Sequence, residues 1–246
     1  MHIIDDKYIS PHFHNSKVTP SFFRVYCKNK INFPVALVYV YAGIDNINED
    51  YVTEYIDLLP PDRKNKCLRY RNLSDKVACI LSFMVLSEIL KEKYDIDKVG
   101  DFRYNENGKP YLKEREDIFF SISHTKDTVA VAIAGFEIGI DVETIREIST
   151  NLIVKVASEK EREVILSSSD MKRAFFKLWT MKESYAKAYG IGVPFLLQKD
   201  ITRSNYVFLS EDTFFLSAYI GRILETNNLS VNKFTKENEL DNFLLK

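Results

Sequence analysis

The stretch Ile118-Phe-Phe-Ser-Ile-Ser-His-Thr-Lys-Asp-Thr-Val-Ala-Val-Ala-Ile-Ala-Gly-Phe-Glu-Ile-Gly-Ile-Asp-Val-Glu143 decides the fold class. It contains three runs, 118–123, 129–134 and 138–142, that are rich in the aliphatic, β-branched and aromatic residues typical of strands. The polar segment 124–127 between the first two runs predicts a turn. Upstream, the dipeptide Asn107-Gly108 indicates a hairpin, because both residues tolerate φ > 0. The region therefore predicts a mostly antiparallel sheet.

Helical patterns flank these strands on both sides. Apolar residues at helical spacing follow Ser74, a candidate N-cap, and predict a largely buried helix. Ser158 and Glu161 form a capping-box pattern, and a longer helix is expected from about Met171 to Tyr189, ending at Gly190. Further strands are expected at 35–41, 200–208 and 213–220.

Strands with one long helix thus occur twice, which predicts an α+β fold. We expect two similar halves related by a pseudo-two-fold, each a small, mostly antiparallel sheet packed on a long helix. The halves span residues 33–140 and 141–246, and an irregular N-terminal arm covers residues 1–32.

Composition excludes several classes of function. The 34 Lys and Arg residues balance 35 Asp and Glu residues, so no overall charge favours nucleic acid or an anionic membrane. No apolar run reaches the roughly 18 residues of a membrane span, and the first residues do not resemble a signal peptide. Three cysteines without CxxC spacing give no zinc or disulfide framework. We expect a soluble cytoplasmic protein in which any anion site is local.

Two segments carry residues suited to phosphate chemistry. On a strand, Asp141 and Glu143 lie on one face, and Gly139 allows close approach to the backbone. Mg²⁺ prefers such oxygen ligands, although a solvated outer face gives the same pattern. On the later helix, Trp179, Glu183 and Lys187 follow each other at four-residue spacing. This row is either a surface ion pair or a third carboxylate ligand followed by a lysine that holds phosphate.

Together the two segments resemble the paired motifs of the 4′-phosphopantetheinyl transferase superfamily. The first is Ile-Gly-Ile-Asp-Val-Glu (138–143), and the second is Phe-x-x-Trp-Thr-x-Lys-Glu-Ser-x-x-Lys-x-x-Gly-x-Gly (176–192). Earlier segments at 61–67, 108–111 and 120–124 also resemble the family. Their order and spacing are similar to the long, surfactin-synthetase type, which is monomeric with its site between two pseudo-symmetric halves.

The resemblance implies roles for individual residues. Asp141, Glu143 and Glu183 would bind Mg²⁺ on the pyrophosphate of coenzyme A, and Lys187 would contact phosphate with help from Lys182. The remaining expected contacts to coenzyme A are Arg63, Lys66, Lys76, Lys109, Pro110, Ser123 and His124. Arg63 stands where the family has lysine, which keeps the charge but changes the donor geometry.

The implied reaction transfers 4′-phosphopantetheine from coenzyme A to a serine of an apo acyl-carrier or peptidyl-carrier protein. It depends on Mg²⁺ and releases 3′,5′-ADP, and Glu183 and Lys187 are the expected catalytic residues. Two alternatives stay open: a Mg²⁺-dependent nucleotide phosphohydrolase, and a catalytically inactive module that binds coenzyme A or a carrier. Phe195, Leu196 and Leu197 are either a carrier-docking segment or core.

Overall fold

The computed structural model describes residues 19–27, 30–100, 102–113, 115–201, 206–221 and 229–235. Within this part of the chain there are ten strands and six α-helices. The strands are β1 (Thr19–Cys27), β2 (Lys30–Ala42), β3 (Arg103–Tyr104), β4 (Pro110–Tyr111), β5 (Phe119–His124), β6 (Thr128–Ala134), β7 (Ile138–Thr144), β8 (Tyr206–Ser210), β9 (Phe214–Ile220) and β10 (Leu229–Thr235). The helices are α1 (Glu49–Tyr55), α2 (Pro61–Arg69), α3 (Leu73–Tyr94), α4 (Thr150–Val156), α5 (Glu159–Leu166) and α6 (Met171–Tyr189).

The strands form two main sheets and one short hairpin. The first sheet has the order β10-β1-β2-β6-β5, the second has the order β7-β9-β8, and β3 pairs with β4. Every pair described is antiparallel. The prediction of an α+β fold with mostly antiparallel sheets is therefore confirmed.

The core is arranged in four layers because β6 is buried on both faces. Val129, Val131 and Ile133 pack with α3, whereas the alternate residues Ala130 and Ala132 pack against the second sheet. Small side chains on that face let the two sheets approach. The second sheet contributes Ile138, Ile140 and Val142 to this contact, and its other face packs against α6. The order of layers is α3, first sheet, second sheet, α6.

Two serines join the sheets at a seam between the edge strands β5 and β7. Ser121 Oγ accepts a hydrogen bond from the Ile140 backbone N–H (3.0 Å), and Ser123 Oγ accepts one from the Val142 N–H (3.3 Å). These side-chain contacts satisfy buried backbone donors that face away from the β7–β9 ladder. The seam places the end of β5 beside the motif on β7.

Helix α6 lies directly on β7 because Gly139 has no side chain. A Cβ atom built at this position would stand 1.8 Å from the Ser184 backbone oxygen. The helix begins after Asp170, whose side chain accepts a hydrogen bond from the Arg173 N–H. It ends at Gly190, which is left-handed at φ 60°. Its predicted extent is confirmed, as is the capping box of Ser158 and Glu161 at the start of α5.

Several local predictions are wrong. Residues 19–27 form β1 rather than an irregular arm, because they pair on one side with β2 and on the other with β10. Residues 1–18 and 28–29 of that arm lie outside the described part of the chain, and residues 30–32 form the start of β2. The N-cap position of α3 is Asn72 rather than Ser74, and the Asn72 side chain makes no capping hydrogen bond to the helix. In the hairpin, Gly108 has φ 81° while Asn107 is not left-handed, as in a type I turn followed by a glycine bulge.

Candidate active site

A cavity of about 310 Å³ opens where α2, the β3–β4 hairpin, the end of β5 and the C-terminal half of α6 meet. Seven residues expected from the sequence to bind coenzyme A or take part in catalysis line it. They are Arg63, Lys66, Lys109, Pro110, His124, Glu183 and Lys187. Residues more than 100 positions apart are thus brought to one place by the seam between the sheets.

Asp141 is the buried acidic group of this site. Its Oδ1 accepts hydrogen bonds from Lys187 Nζ (2.7 Å) and Ser123 Oγ (2.9 Å), while its Oδ2 has no partner among the described residues. Lys187 Nζ also donates to Ser123 Oγ (2.9 Å). Burial raises the pKa of Asp141, and the Lys187 ammonium group opposes that rise. The carboxylate therefore keeps one free, buried oxygen.

Glu183 lies one helical turn before Lys187 and lines the cavity. Burial, followed by the negative charge of Asp141, raises its pKa to about 7, with Lys187 acting in the opposite direction. Glu143 adds a smaller increment in the same direction as Asp141. A carboxyl group with a pKa near neutrality is suited to exchange a proton with a ligand.

Glu143 is held by two side chains that were not expected from the sequence to be its partners. Its Oε1 accepts a hydrogen bond from the indole N–H of Trp179 (3.0 Å), and its Oε2 pairs with Arg146 (3.0 Å). The Arg146 guanidinium in turn lies over the Phe176 ring. Within the described residues, no three His, Cys, Asp or Glu side chains are already placed together to hold a metal ion.

Arg63 is a buried cation with one unsatisfied donor. Its Nη2 donates to the Cys79 carbonyl (3.0 Å) and to Ser82 Oγ (3.2 Å), and its guanidinium carbon lies 5.2 Å from the Phe102 ring centroid. Its Nε has no partner in the described structure. The sequence did not indicate Cys79 and Ser82 as cavity residues, because they lie between the apolar positions of the helix and outside the motifs.

The surroundings of Lys66 and His124 disfavour the charged forms of both side chains. Burial lowers the pKa of Lys66, and Arg63 lowers it further. Burial also lowers the pKa of His124, although Asp75, 4.0 Å from its Nδ1, favours the charged form. An anion bound here would stabilise the charged forms of Arg63, Lys66 and His124.

Lys109 contacts the end of α6. Its Nζ donates to the Ala188 carbonyl, one of the terminal carbonyls that the helix itself leaves free. A Cβ atom at Gly190 would meet both Asn105 and Lys109, so the hairpin packs directly on the helix end. Burial lowers the pKa of Lys109. This contact fixes the hairpin as one wall of the cavity.

Five of the expected residues do not line the cavity: Asp141 and Glu143, described above, and Lys76, Ser123 and Lys182. Lys182 is fully buried and contacts protein groups instead, so the prediction that it assists phosphate binding is wrong. Its position follows from helix geometry, since it lies about 100° around α6 from Glu183. Lys76 is half-buried outside the lining, and Ser123 contacts Asp141 and Lys187 behind the cavity wall.

A larger cavity of about 820 Å³ lies on the opposite side of α6, between α5, α6 and β9. Its floor is mostly apolar, and it contains none of the residues expected to bind coenzyme A. The smaller cavity is therefore the candidate active site, because it contains the titratable groups with perturbed pKa values.

Comparisons with known proteins give one superfamily. A family model for the 4′-phosphopantetheinyl transferase superfamily matches residues 137–228. The 4′-phosphopantetheinyl transferase Sfp of Bacillus subtilis is 28% identical over 151 residues, covering 60% of this chain and 67% of the relative. The transferase gsp of Aneurinibacillus migulanus is 34% identical, covering 54% and 56%. The transferase psf-1 of Bacillus pumilus is 31% identical, covering 58% and 61%.

The chain is thus similar to 4′-phosphopantetheinyl transferases over more than half of its length, and the family model matches its C-terminal part. Its matched part spans between 56% and 67% of the length of these three relatives. The family match begins at the start of β7 and includes α6, the two elements that carry Asp141 and Glu183.

Proposed function

We propose that this protein transfers 4′-phosphopantetheine from coenzyme A to a serine of an apo acyl-carrier or peptidyl-carrier protein and releases 3′,5′-ADP. The observation that carries the proposal is the cavity itself, which Glu183 and Lys187 line together with Arg63, Lys66 and His124, and Lys187 bonds to buried Asp141. We call the part around Arg63, Lys66 and His124 the cationic end and the part around Asp141 and Glu183 the acidic end. The match to the superfamily model supports the same reaction.

The cationic end holds the 3′-phosphate of coenzyme A. The buried Nε of Arg63 lacks an acceptor, which a phosphate oxygen would supply. Lys66 and His124 line the same part of the cavity, and Lys76 adds positive charge at the start of α3. Lys109 and Pro110 place the hairpin against the nucleotide.

Magnesium fits the acidic end. Asp141 Oδ2 is buried and unpartnered, and the mutual repulsion of Asp141 and Glu183 is a cost that a divalent cation would remove. Asp141 and Glu183 would hold the ion, and Glu143 would join them in place of its contact with Arg146. Bound there, the metal would neutralise charge on the pyrophosphate.

The remaining chemistry is carried by Glu183 and Lys187. The serine hydroxyl of the carrier attacks the β-phosphorus of coenzyme A, and the bond to the 3′,5′-ADP oxygen breaks. Glu183 accepts the hydroxyl proton, directly or through a bound water. Lys187 stabilises the negative charge on the leaving phosphate.

We also propose a monomer with two halves related by a pseudo-two-fold, because a long helix, α3 or α6, covers the outer face of each sheet. The expected bounds 33–140 and 141–246 cut through β7, and β10 from the second range belongs to the first sheet. We assign the enzyme to the cytoplasm, where coenzyme A and carrier proteins meet. None of the described helices is long and apolar enough to span a membrane.

Transfer is tested by incubating the protein with coenzyme A, Mg²⁺ and a panel of apo-carrier proteins, followed by intact mass spectrometry. The proposal predicts a gain of one phosphopantetheine on at least one carrier, lost with EDTA and with Asp141→Ala. Coenzyme A breakdown without a carrier would instead support the phosphohydrolase. Binding of coenzyme A without any reaction would support the inactive module.

A further inference from the structure

Lys182 uses all its hydrogen-bonding capacity inside the protein. Its side chain is 0% exposed. Its ammonium group pairs with Glu161 Oε2 (2.9 Å) and donates to the backbone carbonyls of Leu196 (2.9 Å) and Lys199 (2.7 Å). An ammonium group has three N–H donors, so these three acceptors satisfy it completely.

Glu161 extends this contact to two further backbone groups. Its Oε2 also accepts from the Ser158 N–H (2.9 Å) in the capping box of α5. Its Oε1 accepts from the Ile201 N–H (3.4 Å). The buried ion pair therefore ties the start of α5, the middle of α6 and the segment 196–201 together.

The other end of the same loop is a wall of the active-site cavity. Gly190, Ile191 and Val193 line it directly after α6. The short 3₁₀ turn Val193–Leu196 connects this wall to the carbonyls held by Lys182. Few residues separate the two ends, so the position of the wall depends on how residues 196–201 are held.

We propose that Lys182 is a positioning residue for coenzyme A, which acts by anchoring the loop 190–201 so that Ile191 and Val193 form the cavity wall. This inference rests on the proposed function. Lys187 contacts the ligand from the exposed side of α6, whereas Lys182 acts from the buried side without touching it. The two lysines of one motif thus have different roles.

Removing one charge alone would leave its partner buried and unpaired, which can unfold the protein. The double variant Lys182→Met with Glu161→Gln avoids this, because it removes both charges. Glutamine also retains the capping-box contact with Ser158. Lys177→Met, an exposed position on the same helix, is the matched control.

The experiment measures transfer kinetics with varied coenzyme A, and thermal unfolding confirms that each variant is folded. We expect the KM for coenzyme A to rise about tenfold in the double variant while kcat stays within about twofold, since a displaced wall weakens ligand positioning. Lys177→Met keeps both values. A folded double variant with an unchanged KM would overturn the proposal.

Glu161→Gln alone distinguishes anchoring from direct contact. It leaves Lys182 in place but weakens its anchor, so we expect KM to rise in the same direction. An unchanged or lower KM would assign Lys182 to ligand contact and refute the positioning role. If the wild-type protein transfers nothing, the proposed function fails, and calorimetric Kd values for coenzyme A decide the positioning role by the same comparison.

Discussion

At the scale of single residues, Ser121 and Ser123 show how similar positions acquire different roles. Both are buried on β5, and both accept a backbone N–H from β7. Only Ser123 among this pair also bonds Asp141 and Lys187 in the described structure. We therefore expect Ser121 to join the sheets only, and Ser123 to position Asp141 as well.

We predict that Ser123→Ala lowers kcat/KM for carrier modification at least tenfold, because a hydrogen bond to a charged group contributes about 1.5–3 kcal/mol. Ser121 lines the cavity but bonds neither Asp141 nor Lys187, so Ser121→Ala loses a similar contact to β7 but should keep kcat/KM within about threefold. Steady-state kinetics on both variants check this. Equal losses in the two variants would show that Ser123 serves the seam alone.

Trp179, the single tryptophan of the chain, reports on Glu143. Its indole N–H donates to the Glu143 carboxylate, so a metal that takes Glu143 as a ligand in place of Arg146 should change the surroundings of the indole and its fluorescence. We predict a saturable fluorescence change with Mg²⁺ in wild-type protein and none in Asp141→Ala. Ca²⁺ serves as a second oxygen-preferring ion. An identical response in both proteins would contradict the metal assignment.

Glu183 should make stability depend on pH. Its pKa is raised from 4.5 to about 7 in the folded state, so the fold favours the neutral carboxyl group. Its stabilising contribution is present below pH 4.5 and is lost as the pH rises through 7. In EDTA, Glu183→Gln should therefore raise the melting temperature at about pH 8 and change it little at about pH 4.5. A melting temperature lowered equally at both pH values would contradict the raised pKa.

At the scale of elements, the packing of α6 on β7 depends on Gly139. We predict that Gly139→Ala lowers the melting temperature strongly and abolishes transfer, because the added Cβ would meet the Ser184 oxygen and the Ala188 nitrogen of the helix backbone. Gly135→Ala is the control, since its Cβ would have ordinary contact at 3.9 Å from Asp117. Thermal unfolding of both variants checks this, and similar stability would show that the helix can shift.

Local periodicity explains which elements could be predicted. Helix α6 and strands β5 to β7 have strong apolar patterns and clear termini, and they were predicted close to their observed bounds. Strand β1 was missed because its place depends on pairing with β10, more than 200 residues away. Such long-range pairing leaves no local pattern in the sequence.

The candidate site was predicted in part for the same reason. The resemblance of the two motifs singled out Asp141, Glu183 and Lys187 as candidate functional residues, but it could not show which side of α6 Lys182 faces. Arg146 and the Trp179 contact with Glu143 also depend on tertiary packing. Of the segment 195–197, Phe195 is exposed while Leu196 is buried, so neither expectation for it holds throughout.

At the scale of the whole molecule, the seam between the sheets brings distant parts of the chain to one site. Arg63, Lys66 and Lys109 come from α2 and the β3–β4 hairpin, before the seam, while Glu183 and Lys187 come from α6, after it. We propose that these two sets act together on one molecule of coenzyme A. Transfer and hydrolysis would both release 3′,5′-ADP, so product release alone cannot distinguish them.

The most direct test measures 3′,5′-ADP release and carrier mass in the same reaction. With coenzyme A, Mg²⁺ and an apo-carrier, we predict equal amounts of 3′,5′-ADP and modified carrier. We predict neither product when the carrier serine is replaced by alanine. Release of 3′,5′-ADP without modified carrier, or its continued release with the alanine carrier, would contradict phosphopantetheine transfer.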